Sequence, residues 1–124
     1  MRKTKTLGII LIMALLLTAC GSKTPKHTAE VTGQEMMTLH DFNVVCVYTD
    51  YTNNSGESAI PADWIKVTAY QNGTALKVLT FTGEETNGYK PCDTSVQDGA
   101  TAKIVWIFEV DDPNAEVTVE VKDL

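Results

Sequence analysis

The chain has 124 residues, with 10 basic and 16 acidic side chains, a net charge of −6 and 44% hydrophobic residues. That is enough for one small domain, and its acidity disfavours a phosphate backbone, so nucleic acid is excluded as a partner. Two histidines and three cysteines, none at ligand spacing, give no zinc site and no Ser/His/Asp relay.

The N-terminus has three parts in order. Residues 1–6 carry Arg2, Lys3 and Lys5, residues 7–17 are apolar apart from Gly8, and Leu17-Thr18-Ala19 leads into Cys20. This is the layout of a secretory signal peptide. The apolar run falls well short of the ~20 residues that span a bilayer. A cysteine directly after small residues resembles the lipobox of bacterial lipoproteins. The resemblance implies cleavage before Cys20, a diacylglyceryl group on its sulfur and frequent further acylation. The expected location is the extracytoplasmic face of the cell membrane, with the lipid on Cys20 as the membrane contact. Three of the ten basic residues leave with residues 1–19, so seven face 16 acidic ones and the mature side chains sum to −9. With so few cations, attachment rests on acyl chains rather than on anionic lipid.

Residues 20–35 read as the lipidated cysteine and a flexible tether, because 21–33 (GSKTPKHTAEVTG) is polar, holds Pro25 and lacks apolar periodicity. His27 is expected to be solvated there. A short first strand is expected at 34–39. Residues 42–52 (FNVVCVYTDYT) are rich in valine, tyrosine and threonine and apolar on both faces, as in a central strand covered on both sides. Asn53-Asn54-Ser55-Gly56 ends it as a turn.

Asn72-Gly73, between 64–71 and 74–81, is a two-residue hairpin signal. Counting outward puts Ile65, Val67, Ala69, Leu76 and Val78 on one face, expected to be core. The other face holds Trp64, Tyr70, Leu79 and Phe81, with Trp64 opposite Phe81. This aromatic group is the candidate binding face, aromatic anchors being enriched at interfaces. The competing reading is that the tether or the long loop around Tyr89 covers it, or that it forms a second core layer.

Residues 82–99 read as a long irregular loop, either functional, pinned down or hiding a short strand. Residues 102–110 (AKIVWIFEV) form a second central strand, 111–114 a turn and 116–122 (EVTVEVK) a strand with its valines inward. Cys46 and Cys92 form an even pair in an exported domain. A bridge would stabilise by up to ~4 kcal/mol, and two free thiols are the equal alternative.

Strands at this spacing predict an all-β, immunoglobulin-like antiparallel sandwich over 36–124. The runs YTDYTNNSGES, KVTAYQNGTAL and DGATAKIVWIFEVDD…VTVEV resemble bacterial lipoprotein domains of unknown function with a telokin-like, immunoglobulin-like fold, mostly from Gram-positive bacteria. The motifs are structural, so the resemblance carries over no catalytic residue.

Glu84, Glu85, Asp93, Asp98, Asp111 and Asp112 match no calcium loop, and no glycine-rich phosphate cradle follows a strand, so neither a metal nor a cofactor is expected. The expected function is a noncatalytic binding or accessory module that holds a protein or a cell-wall polymer. The alternatives are an immunity or inhibitor lipoprotein, and a surface hydrolase using carboxylates such as Glu84, Glu85 or Asp93.

Overall fold

A computed structural model describes residues 25–124. Two sheets stack into an all-β sandwich. The larger sheet contains β1 (His27–Leu39), β2 (Phe42–Asn53), β5 (Lys77–Leu79), β6 (Lys90–Pro91) and β7 (Thr101–Glu109). Its order is β1-β2-β7-β5, and β6 lies parallel to β7 while every other pairing is antiparallel. The smaller sheet has β4 (Thr74–Ala75), β3 (Ile65–Gln71) and β8 (Thr118–Asp123), in the order β4-β3-β8. A single helical turn, α1 (Pro61–Trp64), leads into β3.

The two expected central strands are β2 and β7, paired from Val44↔Glu109 to Thr52↔Thr101. Their alternation sorts residues between two apolar layers. Val45, Val47, Tyr51, Ile104, Trp106 and Phe108 meet Ile65, Val67, Ala69 and Val117 between the sheets. Val44, Cys46, Val105 and Ile107 point the other way, into a smaller cluster on the outer face. The buried Trp106 indole donates to Thr49 Oγ1 at 2.9 Å, and the Thr49 hydroxyl donates to the Ile104 carbonyl at 2.9 Å. A polar pair thus fits inside an apolar layer because each donor has an acceptor.

β1 corrects the expected tether. Residues 27–33 are paired strand, with His27↔Asn53 and Ala29↔Tyr51. A bulge between Val31 and Gly33 shifts the register by one residue. Before it, Ala29 and Val31 pack on the central core; after it, Met37 and Leu39 pack on the outer cluster and Glu35 faces outward. Were Thr32 instead paired in regular register, Glu35 would fall opposite Val45 and the period of two would turn it into the core. β1 and β2 join through His40 and Asp41, both with positive φ (50° and 69°), a two-residue turn made without glycine.

The Asn72-Gly73 turn forms as expected, with Gln71↔Thr74, Tyr70↔Ala75 and the Leu76 N–H donating to the Ala69 carbonyl at 2.8 Å. Beyond buried Leu76 the chain then crosses to the other sheet and pairs with β7 as β5. Val78, expected in the core, is consequently 53% exposed on an edge strand.

Two buried amides fasten the ends of the sandwich. Asn53 donates to the carbonyls of Glu57 and Val96 and accepts from the Ser55 N–H and hydroxyl. Gln71 donates to the carbonyls of Asp112 and Ala115 and accepts from the N–H groups of Asp111 and Asp112. The loop 82–99 is pinned too: Thr86 and Tyr89 close a turn on Asn87-Gly88, β6 follows, and Val96 exchanges backbone bonds with Ala59.

Candidate functional site

The four residues expected on one aromatic face do not share one. The switch of sheets after Leu76 prevents the count outward from Asn72-Gly73 from reaching Trp64 and Phe81. Tyr70 stays on the outside of the small sheet, its hydroxyl donating to Glu120 at 3.0 Å. Leu79 and Phe81 pack on the outer face of the large sheet, against the layer of Val44, Cys46, Val105 and Ile107. Trp64 lies apart from these three, at the end of α1, 45% exposed.

The cysteines are likewise separate. Cys46 belongs to the outer layer and Cys92 to the central core, both free and buried, with the large sheet between them. Burial pushes the Cys46 thiol up to about 12 and raises Cys92 as well, so both stay protonated at neutral pH. Cys20 and the signal layout at 1–19 lie outside the described residues.

The carboxylates considered for catalysis have local partners on an exposed surface. Glu84 sits 2.8 Å from His40 Nε2, Glu85 2.7 Å from Lys90 Nζ, and Asp93 accepts from the Thr82 hydroxyl at 2.7 Å. Closer to the sheet, the Tyr48 hydroxyl donates to Glu35 at 2.7 Å while the Asn87 amide donates to both. Burial, then the bond to Glu35, raises the Tyr48 phenol well above its ordinary value. Tyr89 packs on Tyr48 at 4.5 Å, with the Lys103 ammonium 5.3 Å from its ring centre. These contacts close the outer layer. Among the described residues, no three His, Cys, Asp or Glu side chains are placed to hold a metal ion.

The open features lie at the two ends. At one end, where β1 begins, His27 stacks on Trp64 at 4.4 Å with the rings 6° from parallel. Its Nδ1 lies 2.7 Å from the Tyr51 hydroxyl. Burial lowers the His27 pKa, with Lys26 adding to the shift and Asp123 opposing it. Beside the stack is a shallow groove of about 200 Å³ lined by Lys26, His27, Trp64, Asp123 and Leu124. At the opposite end, another groove of about 190 Å³ runs between Met36, Met37, Val44, Val110 and Pro113. Met36 there is 43% exposed, and Phe42, which opens β2 at the same end, is 39% exposed.

Sequence reasoning missed His27, Met36 and Phe42 as surface features. The first two fall in a strand whose period is broken by the bulge. The Asn87-Gly88 turn, by contrast, carried the same signal as Asn72-Gly73 and was readable.

These features define a small two-sheet all-β domain with exposed apolar groups at both ends and Val78 on the edge strand β5. The chain belongs to the DUF5067 family, a domain of unknown function, whose match spans residues 23–123. No curated protein and no solved structure matches the chain.

Proposed function

We propose that the mature chain is a lipid-anchored, extracytoplasmic, noncatalytic binding or accessory module. In this reading Cys20 carries the lipid, and the domain offers the end farthest from β1's start to a protein partner. The observation that carries it is the groove between Met36, Met37, Val44, Val110 and Pro113 at that end, with Met36 left exposed along it and Phe42 left exposed on the other face of the same end, where β2 begins. Apolar groups gathered at an end that the anchor leaves free are suited to contact another protein. The fastening of the 111–115 turn by Gln71 gives the rim of this end a fixed shape before binding, which lowers the ordering cost of association.

The test uses the double variant Met36→Ser, Phe42→Ser in intact cells, with in-cell crosslinking as the readout. Both side chains are about 40% exposed, so the loss of stability should stay under about 2 kcal/mol. Crosslinks made by the native chain should disappear in the variant. A variant that folds and keeps the same crosslinked species removes this end from the account. Recovery of wall polymer in place of a protein would move the reading to a polymer ligand.

A further inference from the structure

The end of the sandwich that holds Trp64 also holds the start of β1, and covalent geometry limits how far it can stand from Cys20. His27 is seven residues beyond Cys20 in the chain. At no more than ~3.5 Å per residue, His27 stays within about 25 Å of a lipidated Cys20. β2, with 12 residues, ends here at Asn53 beside His27 and reaches back about 40 Å to Phe42 at the opposite end. The opposite end therefore has no comparable access to the bilayer.

Trp64 is presented there in an ordered way. One face of its indole is covered by the parallel His27 ring, and 45% of the residue remains open. His27 is fixed in turn by the Tyr51 hydroxyl, and Tyr51 is fully buried. Around the indole lie Pro25, Leu124 (69% exposed) and Lys26, with Asp123 as the acidic member. An amphipathic indole beside aliphatic groups and a long lysine stem matches the headgroup region, where tryptophan and lysine are favoured. The net charge is acidic, so attraction to anionic lipid does not drive the contact. One tryptophan is a weak membrane ligand when free, but a short tether turns docking into an intramolecular step at millimolar effective concentration.

We propose that the His27–Trp64 end of the domain lies on the membrane that anchors it, with Trp64 in the headgroup layer. The proposal rests on lipidation of Cys20. It makes His27 a positioning residue for the indole, and it stands the strands away from the bilayer so that Met36 and Phe42 are held outward.

The test takes the protein made from the full-length chain in its own cells and reconstitutes it into phosphatidylcholine vesicles, with and without bromine on the upper acyl chains. Trp64 and Trp106 are the two tryptophans. Trp106 is 5% exposed and pairs with Val47, about 20 Å up β2 from Asn53, beyond the short range of bromine quenching. Flotation with the vesicles, a blue shift and loss of emission in brominated lipid, and absence of that loss in Trp64→Phe are the expected results. Protein that floats with the vesicles yet keeps its full emission in brominated lipid overturns the membrane contact and leaves the anchor standing. Protein that does not float refutes the anchor, and the contact falls with it.

Discussion

Replacing His27 with alanine separates a paired first strand from a solvated tether. In the fold described above, the imidazole stacks on Trp64 and accepts a hydrogen bond from Tyr51 when Nδ1 is unprotonated. The stack is worth about 0.5–1.5 kcal/mol and the hydrogen bond about 0.5–1.5 kcal/mol, so His27→Ala should cost roughly 1–3 kcal/mol at pH 8. For a domain of this size that is a fall in Tm on the order of 10 °C, readable by circular dichroism. The cost should also depend on pH. Burial lowers the pKa of His27 in the folded state below its ordinary 6.5, so the unfolded chain takes up a proton first as pH falls. The contribution of the neutral ring is complete above about pH 6.5 and is lost as pH falls through the lower folded value. The gap between native chain and variant should narrow on acidification. A variant with unchanged stability at pH 8, or a gap that widens toward pH 5, would refute the argument.

Gln71→Leu removes all four hydrogen bonds between the hairpin and the 111–115 turn. The turn is exposed and can partly rehydrate, so the expected loss is about 2–4 kcal/mol in a urea melt, and a loss under 1 kcal/mol would contradict the fastening role. Cys46 and Cys92 should resist alkylation in native protein and take two labels after denaturation without reductant, as intact mass will report. Rapid native labelling, or a mass that changes with reductant, would place the thiols elsewhere.

The elements that could be read from sequence are those in which one local signal decides the outcome. β2 and β7 are β-branched and aromatic runs apolar on both faces, β8 alternates cleanly, and Asn72-Gly73 sets the pairing of Gln71 with Thr74 because its backbone fits few other turns. β1 could not be read this way. Its inner residues are Ala29 and Val31 before the bulge and Gln34 and Met36 after it, so neither a period of two nor a polar count marks a strand. The crossing after Leu76 was also hidden, since the run Leu76-Lys77-Val78-Leu79 alternates equally well as the end of a hairpin or as an edge strand beside β7. That crossing dissolved the expected aromatic face. The Trp64 site depends on a ring 37 positions earlier in the chain, and no local pattern links the two.

The lipid proposed on Cys20 underlies the proposed location, orientation and membrane contact together. Its direct measurement is the mass of the N-terminal fragment of protein extracted from its own membranes. The account predicts a fragment that begins at Cys20 and carries a diacylglyceryl group, lost in Cys20→Ser. An unmodified cysteine, or a mature N-terminus elsewhere, would contradict it.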